Sequence, residues 1–412
     1  MITIIENRNN TWFKEDALNV VIKVFFFLLS PFLSFIYSLK RINTKSSFVV
    51  FFLFALIYGL CFTVISDNSD VLETNDAAKW RFRFENTNLY TFSDYIEYCK
   101  EYFQFAGLDI RDLYFATVTY FVHLVSDNYH VFFLVVAVVY SYFQLRSFRY
   151  LVKSPAFDNS IECLMICMLF SIPTIGCISV FRFWTAAWMC VYGVFQIYYS
   201  GRKKYILLLL LLPLIHRAFF FLYFILLLNL TYRYNKWWKY IYFFSIIFSG
   251  LSVSIVRDAT GYMPSFLTGM IDSYTEESTA ELYSPTKFFL TNIAVIYINL
   301  LFVLIMIKER KNMKTELSNV FNFTLVYLSI VNFVMTIPSL GVRFSVLSYS
   351  FIAFLWLNTM GTKNNYSFLI YLMPLFMVRA VYGAFHVFTK FQDPQFYYTN
   401  PIELVYLYLT VK

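Results

Sequence analysis

Charged residues are scarce in this chain, at 14% of 412 residues, whereas soluble proteins carry roughly 25%. Hydrophobic residues make up 59% and aromatic residues 22%, including 50 Phe and 34 Tyr. The core of a soluble fold could not bury so much apolar surface. The composition therefore excludes soluble enzyme classes and predicts a membrane protein. In such a protein the net charge of +8 reports orientation before it reports nucleic-acid binding, which we do not expect.

Cysteine is also scarce, with six residues in the chain. Only Cys99 lies in a polar segment, so too few cysteines lie outside the apolar runs for a disulfide framework. Cys163 and Cys167 share a helix face at i and i+4, but no further ligands accompany them. We therefore expect packing cysteines and no metal site.

The chain lacks the short motifs of several common enzyme classes. It has no GxxxxGK[ST] loop, no GxGxxG after a strand, no HExxH and no GxSxG elbow. Nucleotide hydrolysis, zinc proteolysis and serine hydrolysis therefore have no support in the sequence. We expect no cofactor.

Apolar runs that could cross about 30 Å of hydrocarbon recur along the chain. They cover roughly 20–39, 47–66, 129–151, 160–180, 183–200, 240–256, 287–307, 318–338, 344–360 and 367–387. This pattern predicts an all-α polytopic membrane protein with about ten full transmembrane helices. We expect a single integral membrane domain over 1–412, without internal repeats.

The connections between these runs fall into a basic and an acidic class. Clusters such as Lys40 with Arg41, Arg202 to Lys204, and Lys308 with Arg310 are basic, and the positive-inside rule assigns them to the cytoplasm. The segments 66–128 and 257–287 are rich in carboxylates and are predicted to face outward. Within 66–128, the run 113–126 is too short to span and predicts an interfacial or re-entrant helix.

The apolar run 205–230 has basic residues on both sides, so both of its ends are predicted to lie in the cytoplasm. One straight helix would reverse the orientation of every later loop. We therefore predict a broken helical hairpin whose two short helices meet at Pro213 to Arg217. Its apex would lie in an outward-facing cavity.

Ionisable groups beside or inside spans are candidates for function because they are costly in lipid. This set comprises Arg182, His216, Arg217, Arg257, Arg343 and Arg379. All six are predicted on the outer side, against the positive-inside trend. Guanidinium groups gathered in an outward cavity suit a pyrophosphate or another polyanion, because arginine stays charged and binds two phosphate oxygens at once. This arrangement suggests an anionic, lipid-linked ligand. The alternatives are lipid anchoring for Arg257 and Arg379, and a buried structural histidine for His216.

The outward segment before residue 105 contains further candidates. The aromatic residues Tyr90, Tyr95, Tyr98, Tyr102 and Phe103 could form a lid over an outward cavity. Asp94 and Glu97 are either general bases under that lid or simply solvated loop carboxylates.

The order of these features resembles the EpsG family of bacterial exopolysaccharide proteins, which is related in role to Wzy-type O-antigen polymerases. The motifs are D-Y-x-x-Y (Asp94, Tyr95, Tyr98), then R-x-x-x-A (Arg182 to Ala186), then GRKK, then His216 in an apolar run, then Arg343 before an aromatic helix. Three features depart from the family pattern. No Gly precedes the Asp-Tyr pair, Phe183-Trp184 replaces Gln-Gly, and Arg217 replaces Lys.

The resemblance implies a metal-independent membrane glycosyltransferase. Such an enzyme moves a glycan from undecaprenyl pyrophosphate onto a sugar hydroxyl of another lipid-linked repeat unit, at the outer face of the inner membrane. The expected catalytic residues are His216, Arg182 and Arg343. The expected substrate-binding residues are Arg217, Arg379, Arg257, Asp94, Tyr95 and Tyr98. Expected partners are lipid-linked oligosaccharides, membrane lipid, a chain-length regulator and a flippase.

Other functions share some of these features. A flippase or exporter of lipid-linked glycans also needs an outward basic cavity, although it should show inverted repeats, which the sequence lacks. A membrane O-acyltransferase also uses an intramembrane histidine. A glycan ligase differs from a polymerase only in its products.

Overall fold

The structure is a computed structural model that describes residues 12–64, 76–87, 89–104, 112–231, 237–248, 285–308, 313–335, 340–362 and 364–410. In these ranges every regular element is helical and no strand occurs, which confirms the all-α prediction.

The helices follow one another from the N-terminal to the C-terminal part of the chain. The first seven are α1 (Ala17–Leu29), α2 (Pro31–Ser38), α3 (Lys45–Leu60), α4 (Asp76–Glu85), α5 (Phe92–Gln104), α6 (Leu113–His123) and α7 (Tyr129–Val152). The next six are α8 (Ile161–Phe170), α9 (Phe181–Val194), α10 (Ile206–Leu210), α11 (Leu212–Ile215), α12 (Phe220–Thr231) and α13 (Trp237–Ile247). The last seven are α14 (Pro285–Lys308), α15 (Thr315–Phe333), α16 (Leu340–Thr359), α17 (Ser367–Tyr371), α18 (Met373–Phe376), α19 (Val378–Lys390) and α20 (Pro401–Thr410).

Helix α9 lies at the centre of the fold and is buried on almost every side. It packs against α7, α11 and α16, while α16 in turn packs against α8, α14 and α15. A helix that is apolar all round is stable only inside a bundle or in lipid, which explains why α9 has no polar face. Residue Arg182, at the first turn of α9, is therefore held on a rigid central element.

Polar caps fix where several helices start. Asp112 accepts a hydrogen bond from the backbone of Phe115 at the start of α6, and Asn128 accepts one from His130 at the start of α7. Such caps satisfy amide groups that have no partner inside the helix. The cap at Asp112 also fixes the position of that side chain beside α9.

Two helical stretches of the described residues are long and apolar enough to cross a membrane, Tyr129–Val152 and Ile161–Tyr199. The second is interrupted after Phe170 and continues as the 3-10 helix Ile175–Val180 into α9. The number of about ten full spans is not confirmed by these stretches and stays a prediction.

Three of the runs expected as single spans are interrupted in the structure. The run 20–39 breaks at Ser30, whose φ of −161° and ψ of 129° are extended, because Pro31 follows it. The run 160–180 breaks between α8 and the 3-10 helix. The run 367–387 is divided into α17, α18 and the start of α19, with Pro374 near the first break. These three predictions of continuous spans were wrong. Proline and local capping end helices that, from hydropathy alone, were predicted to continue.

The segment 66–128 differs from the expected loop with one short helix. Its described residues form three helices, α4, α5 and α6, and α6 packs against α5, α7 and the short α11. The i, i+4 spacing of Trp80 and Phe84 puts both on one face of α4 and in the core, whereas Phe82 between them is exposed.

The run 205–230 leaves helical geometry at His216, whose φ of −155° and ψ of 118° are extended. Helices α10 and α11 precede this residue, and the 3-10 helix Arg217–Phe219 leads into α12. The hydroxyl of Tyr223 donates to the carbonyl of Leu210, so the two arms touch. The side of the membrane on which each end lies stays a prediction.

Candidate functional site

The site is built around an ion pair between α6 and α9. Arg182 donates from Nη1 to Oδ2 of Asp112. The side chain of Asp112 is 1% exposed and that of Arg182 is 14% exposed. The second carboxylate oxygen of Asp112 accepts from the backbone of Phe115 at 2.9 Å, so one side chain caps α6 and holds Arg182.

Trp80 of α4 orients the same guanidinium group. The Cζ of Arg182 lies 3.8 Å from the centroid of the Trp80 ring, and the Cζ of Arg83 lies 5.0 Å from it. Cation–π contacts of this kind add attraction and define the plane of the guanidinium group. Two cations therefore flank one buried indole ring.

Phe183 links Arg182 to the second half of the site. Its ring centroid lies 5.4 Å from that of His216 and 5.5 Å from the Cζ of Arg343. Phe183 follows Arg182 directly in α9, and Arg343 lies in the first turn of α16. Side chains from α9, α16 and the break at His216 therefore meet around one aromatic ring.

Helix α5 covers this arrangement with two tyrosines. The hydroxyl of Tyr102 donates to the carbonyl of Pro213 at 3.3 Å, and the Cζ of Arg217 lies 5.5 Å from its ring centroid. The hydroxyl of Tyr98 donates to the carbonyl of Asp112, also at 3.3 Å. Helix α5 is thus tied both to the start of α6 and to the break in the run 205–230.

The electrostatics of Tyr98 reflect the positive charge around it. Burial raises the pKa of the Tyr98 phenol above its usual value, and the charge of Asp112 raises it further. Three guanidinium groups act in the opposite direction, those of Arg83, Arg182 and Arg217. The Tyr98 hydroxyl is therefore a point at which three arginines from separate elements act together.

The hydrogen bond at His216 restricts its proton chemistry. Its Nδ1 accepts from the backbone amide of Ala218 at 3.2 Å. A nitrogen that accepts an N–H bond carries no proton, so the neutral ring carries its proton on Nε2. In this tautomer, assigned from the hydrogen bond, the Nε2 atom of His216 is a donor.

Asp94 and Tyr95 have packing and capping contacts instead. Asp94 accepts from the backbone of Thr91 at 2.9 Å at the start of α5. Hydrogen bonds from the side chain and the backbone of Thr91 lower the pKa of the Asp94 carboxyl. The hydroxyl of Tyr95 pairs with Thr117 at 3.0 Å, and its ring stacks on Tyr120. The structure does not bring either residue to the ring of Phe183.

The remaining predicted residues lie elsewhere or outside the described ranges. Arg379 lies in α19, which packs against α14 and the 3-10 helix Ile175–Val180. Arg257 lies outside the described residues. The other three histidines contact aromatic rings, His123 with Tyr90, His130 with Tyr129 and His386 with Tyr382.

Sequence reasoning missed Asp112, Trp80 and Arg83. Asp112 precedes the apolar run of α6, where an N-cap is expected, and that signal could have separated it from the other carboxylates of its segment. Trp80 and Arg83 had no comparable signal, because only tertiary packing brings Trp80 of α4 against the start of α9.

A separate cavity of about 250 Å³ lies between the ends of α14 and α16. It is lined by Lys308, Met360, Asn364, Asn365 and Tyr366. Helix α16 places this cavity about 25 Å from Arg343, because some seventeen residues of helix separate the two ends. In the part of the chain that the structure describes, no group of three His, Cys, Asp or Glu side chains could hold a metal ion.

Comparison with known proteins gives one match. The sequence profile of the EpsG family matches residues 82–400, well over half of the chain. No curated protein and no solved structure gives a significant match. The matched range includes Asp112, Arg182, His216 and Arg343, and it confirms the resemblance to this family. The chain therefore belongs to the EpsG family, and we assign it as a membrane protein of polysaccharide biosynthesis.

Proposed function

We propose that this protein is a membrane polysaccharide polymerase. It transfers a glycan from undecaprenyl pyrophosphate onto a sugar hydroxyl of another lipid-linked repeat unit. The observation that carries the proposal is a series of contacts that links three arginines from separate elements. Arg182 bonds to Asp112, whose carbonyl accepts from Tyr98 of α5. Arg217 lies over Tyr102 of the same helix, and Arg343 lies over Phe183, the residue after Arg182. Membership of the EpsG family supports the polysaccharide substrate.

The reaction requires stabilisation of the negative charge on the leaving group more than activation of the donor glycan. The acceptor hydroxyl oxygen forms a bond to the anomeric carbon while the bond from that carbon to the pyrophosphate oxygen breaks. The hydroxyl proton passes to the departing pyrophosphate, so atoms and charge balance. Negative charge grows on the leaving group, and fixed guanidinium groups stabilise it without reorganisation. This reaction needs no nucleotide and no divalent metal.

The residues take separate roles in this proposal. Arg182, Arg217 and Arg343 hold the pyrophosphate, and His216 donates a hydrogen bond to it from Nε2. Of the two roles considered for His216, base or donor, the hydrogen bond from Ala218 favours the donor. Tyr98 contacts the sugar next to the pyrophosphate.

Four further predicted substrate-binding residues have weaker support. Arg379 and Arg257 could contact a more distant phosphate or anchor the chain in lipid. Tyr95 and Asp94 contribute to the shape of α5 and its packing on α6.

The proposed topology places the site at the outer face of the inner membrane, with about ten spans in all. Segments 66–128 and 257–287 face outward, and the run 205–230 forms a hairpin with both ends in the cytoplasm. A flippase would deliver the lipid-linked units to this face, and a chain-length regulator would set the length of the product.

The decisive experiment uses purified protein in liposomes with lipid-linked repeat units and EDTA. A ladder of products that differ by one repeat supports the polymerase. Movement of the units across the bilayer without elongation would support the flippase instead, and transfer of a finished glycan to a different lipid would support the ligase. Loss of the ladder in EDTA would contradict a metal-independent reaction.

Arginine variants test the site itself. We expect Arg217→Ala and Arg343→Ala each to lower the elongation rate by about 10²- to 10³-fold, as the loss of one stabilising donor does elsewhere. Arg146→Ala is the matched control, because Arg146 also lies over a tyrosine ring, Tyr142, but at the predicted cytoplasmic end of α7. Wild-type rates in both site variants at normal abundance would exclude this site.

A further inference from the structure

Asp112 is the least exposed charged residue of the site, at 1%. Its Oδ1 accepts from the backbone of Phe115 and its Oδ2 accepts from Arg182, so both carboxylate oxygens are used within the protein. The carboxylate is therefore buried and bonded within the protein on both oxygens. Its only charged contact among the described residues is with the arginine proposed to hold the pyrophosphate.

The geometry gives Arg182 two independent restraints. Asp112 fixes the direction of one guanidinium nitrogen, and the face of Trp80 at 3.8 Å fixes the plane of the group. A guanidinium group has five N–H donors, and among the described residues the bond to Asp112 is made by Nη1 alone. Asp112 and Trp80 therefore orient the group through one of its donors and through its face.

Stability alone does not account for this pair. Burying an aspartate and an arginine together costs desolvation energy that often cancels their attraction. What such a pair supplies is a fixed geometry, which matters most where charge must be placed before the reaction begins. The N-cap of α6 needs only a hydrogen-bond acceptor at residue 112, not a charge.

We propose that Asp112 is a positioning residue, which together with Trp80 holds Arg182 in the orientation that binds the pyrophosphate. This inference rests on the proposed function for its substrate. Asp112 acts through Arg182 and does not touch the reacting atoms.

The first test is Asp112→Asn, because asparagine caps a helix about as well as aspartate but carries no charge. We expect kcat for elongation to fall about 10- to 100-fold while KM changes less than about threefold. Asp393→Asn is the matched control. Asp393 also caps a helix, by accepting from Gln395 at 2.9 Å, and it has no arginine partner among the described residues. A wild-type kcat in Asp112→Asn would overturn the inference.

The second test separates positioning from folding. In Asp112→Asn/Arg182→Gln, both charges are gone and no buried charge is left unpaired. Positioning predicts that this double variant accumulates normally yet remains as slow as Arg182→Gln. If the pair were purely structural, the double variant would recover the wild-type rate, and that result would contradict the proposal.

The third test is chemical rescue with guanidinium ion. In Arg182→Ala, free guanidinium should bind between Asp112 and Trp80 and raise kcat at least about tenfold, while Asp112→Asn/Arg182→Ala should show no rescue. Equal rescue in both variants would overturn the role of Asp112.

Failure of the proposed function would give results that differ from failure of the positioning role of Asp112. If wild-type protein elongates no glycan, the polymerase proposal fails, and guanidinium can still be tested as a ligand by its effect on thermal stability. Stabilisation of Arg182→Ala but not of the double variant would then support the positioning of a cation by Asp112. Equal stabilisation of both variants would overturn it.

Discussion

At the residue scale, the site combines charges that were visible in the sequence with restraints that were not. The sequence picked out Arg182, His216, Arg217 and Arg343 because ionisable groups are rare beside spans. The structure adds the carboxylate and the aromatic rings that orient them, above all Asp112 and Trp80. A guanidinium group without such restraints would sample many orientations and stabilise a developing charge less well.

His216 gives a prediction that distinguishes a donor from a base. Its Nδ1 accepts from Ala218, so the ring presents Nε2–H. Glutamine also carries an N–H donor at the end of a side chain but cannot act as a base near neutral pH. We therefore expect His216→Gln to retain more than about a tenth of the elongation rate and His216→Ala to lose about 10²-fold or more.

The measurement is the initial rate of ladder formation at equal protein abundance. Equally inactive Gln and Ala variants would show that His216 acts as a base. That result would leave the arginine roles unchanged, since those rest on separate contacts.

At the element scale, the close approach of α3 to α7 depends on Gly59. A Cβ atom built on Gly59 would lie 2.3 Å from the Cβ of Ala137 and 2.8 Å from the carbonyl oxygen of Phe133. Backbone atoms cannot move away as a flexible side chain can. The two helices can therefore pack this closely only where one of them lacks a side chain.

We expect Gly59→Ala to destabilise the protein by about 1–3 kcal/mol, the usual cost of overpacking. Gly383→Ala is the control, since nothing lies within 4 Å of a Cβ at Gly383 in α19. There alanine should be neutral or stabilising by up to about 1 kcal/mol, because it favours helix. Thermal unfolding in detergent measures both, and equal melting temperatures for the two variants would exclude the close contact.

The breaks in the helices also belong to this scale. Extended backbone at Ser30 and at His216 interrupts runs that hydropathy presents as continuous. At His216 the break places the side chains of His216 and Arg217 toward the centre of the site. The irregular backbone there lies against protein, as irregular backbone must in a membrane. Pro213, one turn earlier, contributes its carbonyl to Tyr102.

At the scale of the whole molecule, the distribution of charge predicts which end of the bundle faces the cytoplasm. Arg182 and Arg343 lie in the first turns of α9 and α16, whereas Lys203 follows the helical region of α9 and Lys308 lies beside Met360, just after the end of α16. This separation agrees with the positive-inside rule.

Topology can be tested with single cysteines at described, exposed positions. Glu97→Cys in α5 should react with an impermeant maleimide from outside intact cells, and Lys203→Cys only after the membrane is opened. Cys99→Ser is the appropriate background, because Cys99 is the partly exposed cysteine of the same outward segment. Labelling of Lys203→Cys in intact cells would reverse the proposed orientation.

The sequence by itself determined the properties of this protein that follow from its amino-acid composition. An apolar, aromatic chain with few charges has to place its helices in a bundle or in lipid, so the all-helical fold followed from residue content and spacing. The rare cations in or beside apolar runs were identifiable for the same reason, since an ionisable group in an apolar run stands out, and their place on the outer side stays a prediction. The residues of the EpsG pattern also appeared in order along the chain.

Only the tertiary structure decided which of these residues meet. Phe183 joins Arg343 to His216 across more than a hundred residues of chain, and Asp112 joins α6 to α9. Such contacts depend on packing between distant elements, which hydropathy and spacing do not encode. The ends of individual helices were likewise decided by caps and prolines, because the surrounding sequence is almost uniformly apolar and gives no other signal for a helix end.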